Sequence, residues 1–144
     1  MTQPPDPRSS NPLSIRVYWE DTDAGGVVYY ANYLKFFERA RTEWLRELGI
    51  GQQSLREQTG AIFVVAEANI RYKAPSKLDD LLTITVRVAE LGRASMLLEQ
   101  QAWRGDTLLV EGSIRAGCVD ATTLRPRRMP DQVLKVLPAL DGTA

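Results

Sequence analysis

The chain has 144 residues, of which 44% are hydrophobic and 25% are charged, a composition typical of one globular domain. Its 18 basic and 18 acidic side chains cancel at pH 7, so no global field attracts nucleic acid or an anionic membrane surface. The sequence contains no histidine and one cysteine, Cys118, which excludes His-based catalytic triads, His-ligated zinc and an intramolecular disulfide.

Residues 1–12 are rich in proline and polar side chains, which predicts a flexible N-terminal tail. We expect a single domain over residues 13–138 and a short C-terminal tail over 139–144. No apolar run approaches the length of a membrane span, and the N-terminal region lacks the apolar stretch of a signal peptide. The expected location is therefore cytoplasmic.

Residues 14–20 alternate between apolar and polar side chains, which is the period of a half-buried strand. Ile15, Val17 and Trp19 are predicted to face the core. An acidic, glycine-rich loop with the sequence EDTDAGG follows at residues 20–26.

From residue 32 to residue 48 the apolar side chains recur every three or four positions, which predicts an amphipathic helix. Asn32 is a suitable N-cap residue, and Gly49 is a plausible C-terminal stop. This segment is predicted to be the longest helix of the chain.

The second half of the chain predicts four consecutive strands, at 61–73, 81–88, 94–104 and 107–120. Gly105-Asp106 is a turn signal that joins the last two as a hairpin. Residues 131–140 give at most a short helix. The order of one strand, one long helix and four strands predicts an α+β fold, in which the helix lies on one face of an antiparallel sheet. One helix cannot cover five strands, so we expect a homo-oligomer.

Three interpretations compete for the acidic loop. In a calcium loop, Asp21, Asp23 and Gly26 would occupy the expected positions, but Gly25 and Asn32 stand where two further oxygen ligands are required. A solvated turn is the simplest alternative, because Asp and Gly are common turn residues.

In the third interpretation Asp23 is a catalytic acid. The loop would carry its carboxylate to the N-terminus of the long helix, where unpaired N–H groups can bind a developing oxyanion. A carboxylate in that place can attack a carbonyl, or activate water to do so, without a histidine. Hydrolysis of an activated acyl group fits this arrangement.

The segment RVYWEDTDAGGVVYYANYLKFFERARTEWL, residues 16–45, resembles the active-site loop and central helix of one enzyme family. This family comprises the hotdog-fold acyl-CoA thioesterases of the 4-hydroxybenzoyl-CoA thioesterase type. The likeness is greatest to the Tol-Pal-associated YbgC branch and extends over roughly residues 14–130.

The resemblance implies a hotdog fold, with a five-stranded antiparallel sheet wrapped around one long central helix. It also implies an acyl-CoA thioesterase, with acyl carrier protein as an alternative carrier of the acyl group. Coenzyme A would be part of the substrate, and no cofactor or metal is expected. The family implies dimers joined edge to edge, usually paired into homotetramers, with active sites at the dimer interface.

Matched to the family motif, Asp23 is the catalytic carboxylate, and Tyr30 is the residue whose backbone N–H polarises the thioester carbonyl. Relatives of the YbgC type usually carry His at this position, whereas the hydroxybenzoyl-CoA branch carries Tyr. A backbone donor is the same in both cases.

Five further residues are candidates for substrate binding. Gly26 would let the backbone approach the substrate closely, Ser95 would lie near the thioester, and three arginines could bind the phosphates of coenzyme A: Arg93, Arg127 and Arg128. The alternatives are a hydrogen-bonded strand serine and solvated arginines. Cys118 is expected to be a packing residue.

Two other functions are compatible with the fold. A dehydratase would normally use a histidine, which this chain lacks. A non-catalytic acyl-CoA-binding or Tol-Pal-associated interaction module could dispense with Asp23, so the complete DTDAGG loop argues against it.

Overall fold

A computed structural model describes residues 11–137 of the chain. The helices and strands in chain order are β1 (Leu13–Arg16), a 3₁₀ turn (Trp19–Asp21), α1 (Asn32–Glu47), α2 (Gln52–Thr59), β2 (Ala61–Tyr72), β3 (Leu81–Leu91), β4 (Ser95–Arg104), β5 (Thr107–Asp120) and α3 (Asp131–Leu134). Nearly all of both predicted tails lies outside the described residues, so the domain boundaries stay a prediction.

The five strands form one antiparallel sheet in the order β1-β3-β4-β5-β2. Helix α1 lies across one face and contacts β1, β3 and β4. The predicted α+β architecture is therefore confirmed. Helix α1 sits over only part of the sheet, and the shorter helix α2 contacts β2.

The core lies between α1 and the sheet. The predicted inward residues of β3 are all fully buried, namely Leu82, Ile84, Val86 and Val88. The apolar stripe of α1 packs on them with Tyr33, Phe36, Phe37, Ala40, Trp44 and Leu45. Burial of each large apolar side chain contributes about 1.5–3 kcal/mol, so this two-layer contact is what fixes the helix on the sheet.

Helix α1 ends as the sequence predicts. Gly49 has a φ of 86°, in the left-handed region that favours glycine. Its N–H donates to the Arg46 carbonyl at 2.9 Å, and the Ile50 N–H donates to the Leu45 carbonyl at 2.8 Å. This pair of bonds is a Schellman motif, which satisfies the last carbonyls of the helix.

The predicted N-cap of α1 is wrong by one residue. Ala31 occupies the cap position and Asn32 is the first helical residue. The Asn32 side chain instead donates from Nδ2 to the Asp21 carbonyl at 2.7 Å, so it joins the helix to the acidic loop.

The first strand is shorter than predicted. It ends at Arg16, and the chain then turns in a 3₁₀ bend, where the Asp21 N–H donates to the Tyr18 carbonyl at 3.0 Å. Ile15 and Val17 are buried as predicted, but Trp19 is 80% exposed. The prediction for Trp19 is wrong because the bend interrupts the two-residue alternation of the strand.

Strand β2 is an edge strand that pairs on one side with β5. A β-bulge interrupts the pairing between Val65 and Glu67. Residues 64–69 are exposed, and among them Val65 is 51% exposed. An apolar edge of this length is a surface that proteins normally cover or pair.

Candidate active site

The acidic loop folds back on itself as a small hairpin. Thr22 and Val28 form an antiparallel bridge, and the Asp23 N–H donates to the Val27 carbonyl at 2.9 Å. Gly26 has a φ of 80°, which explains why a glycine stands at this turn. The carboxylate of Asp23 accepts the Gly25 N–H at 2.8 Å through Oδ1, and the Asp23 residue is exposed. Its second oxygen is therefore available to a substrate.

Two contacts hold the end of this loop against the segment that follows β2, and a third holds α1 against the same segment. Val27 bridges to Lys77, and the Val28 N–H donates to the Ser76 carbonyl at 2.8 Å. Beneath them the Tyr33 hydroxyl and the Ser76 Oγ form a buried hydrogen bond of 2.5 Å. These bonds fix the position of the loop relative to the first turn of α1.

The Asp21 carbonyl joins the start of the loop to the start of the helix. It accepts both the Tyr29 N–H at 2.8 Å and the Asn32 Nδ2–H at 2.7 Å. The Asn32 side chain is 9% exposed, so this bond is largely shielded from water. The carboxylate of Asp21 also has a structural partner, because Oδ2 accepts the Tyr18 N–H at 2.8 Å.

The two amide groups that immediately precede α1 are free within the described part of the chain. Neither the Tyr30 amide nor the Ala31 amide donates a hydrogen bond to any of residues 11–137. Both lie directly before the N-terminus of a 16-residue helix, which is the positive end of its dipole. Two neighbouring free donors of this kind can stabilise the negative charge of an oxyanion.

A cavity of about 280 Å³ opens beside the helix start. Its walls include Tyr30, Tyr33 and Tyr72, together with residues 73–75, which directly follow β2. The Tyr72 ring lies edge-on to the Tyr30 ring, with the centroids 5.9 Å apart, and 6.0 Å from the Tyr33 ring. The site therefore offers an aromatic wall next to the free amides.

Tyr33 and Tyr72 of this cavity stay protonated at neutral pH, and so does the nearby Tyr29, because the pKa of each is raised. Burial raises the pKa of Tyr33, against the opposing effect of its bond to Ser76, and burial also raises the pKa of Tyr72. The interaction with the Tyr30 hydroxyl raises the pKa of Tyr29, and the Asp23 carboxylate adds a smaller effect in the same direction.

The other predicted binding residues lie at the opposite end of the sheet. The Arg93 carbonyl accepts the Met129 N–H at 2.8 Å, and Ser95 pairs with Gly117 of β5. Arg127 and Arg128 precede Met129, so they belong to the same end of the sheet.

A single chain does not bring the Asp23 loop together with Ser95 and the three arginines. The Asp23 loop adjoins Lys77, before the start of β3, whereas Arg93 follows its end. The 11 residues of β3 span about 33 Å at the usual rise of a strand. Only a second copy of the chain could unite Asp23 with the Ser95 end in one site.

The three arginines differ in what they contact. Arg127 is half-buried and donates from Nη1 to the Thr59 carbonyl at 2.8 Å, at the end of α2. Arg128 forms an exposed ion pair of 3.1 Å with Asp131, and Arg93 is exposed. Arg127 thus has a structural task that the sequence did not predict, and Arg93 and Arg128 are better placed to bind a ligand.

The carboxylates of the acidic loop belong to no candidate metal cluster within the described chain. Within residues 11–137 no group of three or more His, Cys, Asp or Glu side chains is arranged to hold a metal ion. Cys118 is buried, and burial raises the pKa of its thiol, in keeping with a packing role. No helix of the described chain has the length and apolar character needed to cross a membrane.

Comparison with known proteins places this geometry in a family. The sequence pattern of the Thioesterase-like superfamily matches residues 17–137. The chain belongs to this superfamily. The thioesterase family predicted from the acidic loop and the long helix is therefore confirmed.

Individual members agree with this assignment. A Haemophilus influenzae protein named acyl-CoA thioesterase YbgC is 47% identical over 119 residues, which cover 83% of this chain and 88% of the relative. The crystal structure of a probable thioesterase from Bartonella henselae is 37% identical, with a TM-score of 0.78, and covers 83% of this chain and 98% of that one.

The fold also matches a more distant structure. A 4-hydroxybenzoyl CoA thioesterase in complex with 4-hydroxybenzoyl CoA superposes with a TM-score of 0.84 at 21% identity, over 91% of this chain and 99% of that one. At this identity the likeness shows the fold alone. It confirms that the curled five-stranded sheet and its long helix form the predicted hotdog fold.

Proposed function

We propose that this chain is an acyl-CoA thioesterase, which hydrolyses the thioester bond of an acyl-CoA. The observation that carries the proposal is that the exposed Asp23 carboxylate stands in the loop that leads to the free amides of Tyr30 and Ala31, just before α1. The naming of the Haemophilus influenzae relative as an acyl-CoA thioesterase supports it.

The reaction needs a hydrogen-bond donor to the carbonyl oxygen and a group that attacks the carbonyl carbon or activates water to attack it. The thioester carbonyl lies against the N-terminus of α1, where the Tyr30 N–H and the helix dipole stabilise the oxyanion. Asp23 either attacks the carbon and forms an anhydride that water then hydrolyses, or removes a proton from the attacking water. In both routes coenzyme A leaves as the thiol and the acyl group leaves as the acid.

A second copy completes the site. In an antiparallel pairing of two β2 edges, a twofold axis places the Ala61 end of one strand beside the Tyr72 end of the other. Tyr72 contacts Tyr30 at one end of β2. Ser95 of β4 pairs with Gly117 of β5, which pairs with Val64, so Ser95 lies towards the other end of β2. The pairing thus brings Asp23 and Tyr30 of one copy near Arg93, Ser95 and Arg128 of the other.

These residues have distinct tasks in the proposed site. Arg93 and Arg128 bind the phosphates of coenzyme A, since guanidinium groups match phosphate geometry. Ser95 lies near the thioester, and Gly26 lets the backbone come close to it. The enzyme needs no cofactor, works in the cytoplasm on acyl-CoA or acyl carrier protein, and assembles as a dimer or a homotetramer of two such dimers.

Hydrolysis of a panel of acyl thioesters tests the function directly. Asp23→Asn should keep the fold and lower kcat/KM by a factor of about 100 or more, because a neutral amide can neither attack nor deprotonate water. Asp21→Asn is the matched control: it keeps an oxygen for the Tyr18 N–H and should cost much less.

Two results would contradict the proposal. Equal losses in the two variants would mean that Asp23 is not the catalytic acid. A folded protein that binds coenzyme A but hydrolyses no thioester would instead be the non-catalytic binding module considered above.

A further inference from the structure

The Tyr72 hydroxyl makes a contact that the mechanism above does not use. Tyr72 is the last residue of β2, and its hydroxyl donates to the Tyr30 carbonyl at 3.0 Å. The two residues are 42 positions apart in sequence. The end of the edge strand is therefore bonded directly to the helix start that holds the oxyanion donors.

Few other contacts hold the Tyr30 carbonyl within the described chain. Its one further hydrogen bond is a long contact of 3.4 Å from the Tyr33 N–H. The Leu34 N–H, which would bond the Tyr30 carbonyl in a regular α-helix, donates to the Ala31 carbonyl at 3.1 Å instead. The Tyr72 bond is the shorter of the two at the Tyr30 oxygen, so it has the greater influence on the direction of this carbonyl.

The hydrogen bond to the Tyr30 carbonyl affects the Ala31 N–H. The Tyr30 carbonyl and the Ala31 N–H belong to one planar trans peptide and point in opposite directions. A hydrogen bond to the carbonyl fixes the plane and strengthens the N–H as a donor, because bonded peptide groups polarise one another. The preceding peptide is arranged alike: the Tyr29 carbonyl accepts the Asn32 N–H at 2.8 Å, and the Tyr30 N–H is free among the described residues.

We propose that Tyr72 is a positioning residue that orients and polarises the Tyr30–Ala31 peptide, which makes the Ala31 N–H a second donor to the thioester carbonyl. The inference rests on the proposed thioesterase function. Tyr72 acts through the peptide and does not touch the reacting atoms. Its position at the end of β2 also ties the oxyanion donors to the strand edge that the proposed dimer uses.

Tyr72→Phe isolates the hydroxyl, because the ring and its contacts with Tyr30 and Tyr33 are kept. We expect kcat to fall about fivefold, the effect of one hydrogen bond, while KM and the melting temperature stay close to the wild-type values. The control is Tyr18→Phe, since Tyr18 is 62% exposed and its backbone bonds to Asp21 are kept by this change. This change should leave kcat and KM unaltered.

Nuclear magnetic resonance tests the bond without using activity. In Tyr72→Phe the carbonyl ¹³C signal of Tyr30 and the amide ¹⁵N signal of Ala31 should both move upfield, and neither should move in Tyr18→Phe. Wild-type kcat in Tyr72→Phe, or unmoved signals, would overturn the inference. A lower kcat together with a raised KM and a lowered melting temperature would assign Tyr72 a merely structural role. A wild-type chain without hydrolase activity would refute the proposed function, while the two signals still report on the bond.

Discussion

The Tyr30 side chain is 59% exposed, and its ring forms part of the wall of the cavity beside the helix start. The proposed chemistry uses only its backbone N–H, which any residue except proline provides. The structure gives the ring a packing role through its edge-on contact with Tyr72. The phenol hydroxyl is thus free of any task in the mechanism.

We therefore expect Tyr30→Phe to retain most of kcat, and Tyr30→His to remain active as well. Steady-state hydrolysis of the best substrate of the panel measures both. If the hydroxyl oriented water or the acyl group, its loss would cost about 1 kcal/mol, or about fivefold in rate. A loss in folded Tyr30→Phe that approaches that of Asp23→Asn would make Tyr30 a catalytic side chain.

Individual residues differ in how far sequence could reveal their tasks. Asp23 was predicted from its acidic loop before a strongly periodic helix, and Tyr30 from the family resemblance of the same segment. Tyr72 and Ser76 were not, since their partners lie 42 and 43 residues away, and no local pattern shows which strand end meets which turn. Arg127 was predicted as a ligand-binding cation, and its bond to the Thr59 carbonyl could not be foreseen without the packing of α2.

At the scale of elements, local patterns predicted the parts with regular periodicity. The strands β2 to β5, the 105–106 turn and α1 follow from alternation or from a repeat of three to four residues. Helix α2 was missed because QQSLREQT buries a single residue, Leu55, and so lacks an apolar stripe. It forms because β2 and the core cover that one side chain, a tertiary effect that overrides a weak local preference.

The pairing of β5 with β2 depends on a glycine. A Cβ atom at Gly112 would lie 2.5 Å from the Asn69 carbonyl oxygen and 2.6 Å from Cδ1 of Ile70. The first of these atoms is backbone of the neighbouring strand, so it cannot move without displacing β2. Gly117, on the same strand, has only the Val64 carbonyl oxygen at 4.0 Å.

Gly112→Ala should therefore lower the free energy of unfolding by about 1–3 kcal/mol, the usual cost of overpacking. Gly117→Ala should be neutral or slightly stabilising, because alanine restricts the unfolded chain more than glycine does. Chemical denaturation of the two variants provides the comparison. Equal stabilities would show that β2 adapts to a methyl group at this position and that the close approach is unimportant.

At the scale of the whole molecule, the proposed dimer would assemble each site from opposite ends of the sheets of two copies. The exposed edge of β2, with Val64 and Val65, is the surface that another copy can pair with. Sedimentation should therefore show no stable, active species of the 16.1 kDa monomer at micromolar concentration. If the site is shared across this edge, a second prediction follows: two differently impaired variants should restore activity when they form mixed dimers.

The last prediction uses two impaired chains. One carries Asp23→Asn, and the other carries Arg93→Glu with Arg128→Glu, two exposed positions where reversed charge should repel coenzyme A phosphates and raise KM at least about tenfold. Random exchange of equal amounts makes half of the dimers mixed. Each mixed dimer holds one intact site if Asp23 of one copy works with the arginines of the other, so activity should recover to about one quarter of wild type. A site within one chain would give no recovery after exchange, and a wild-type KM in the charge-reversed chain would refute the phosphate-binding role of these arginines.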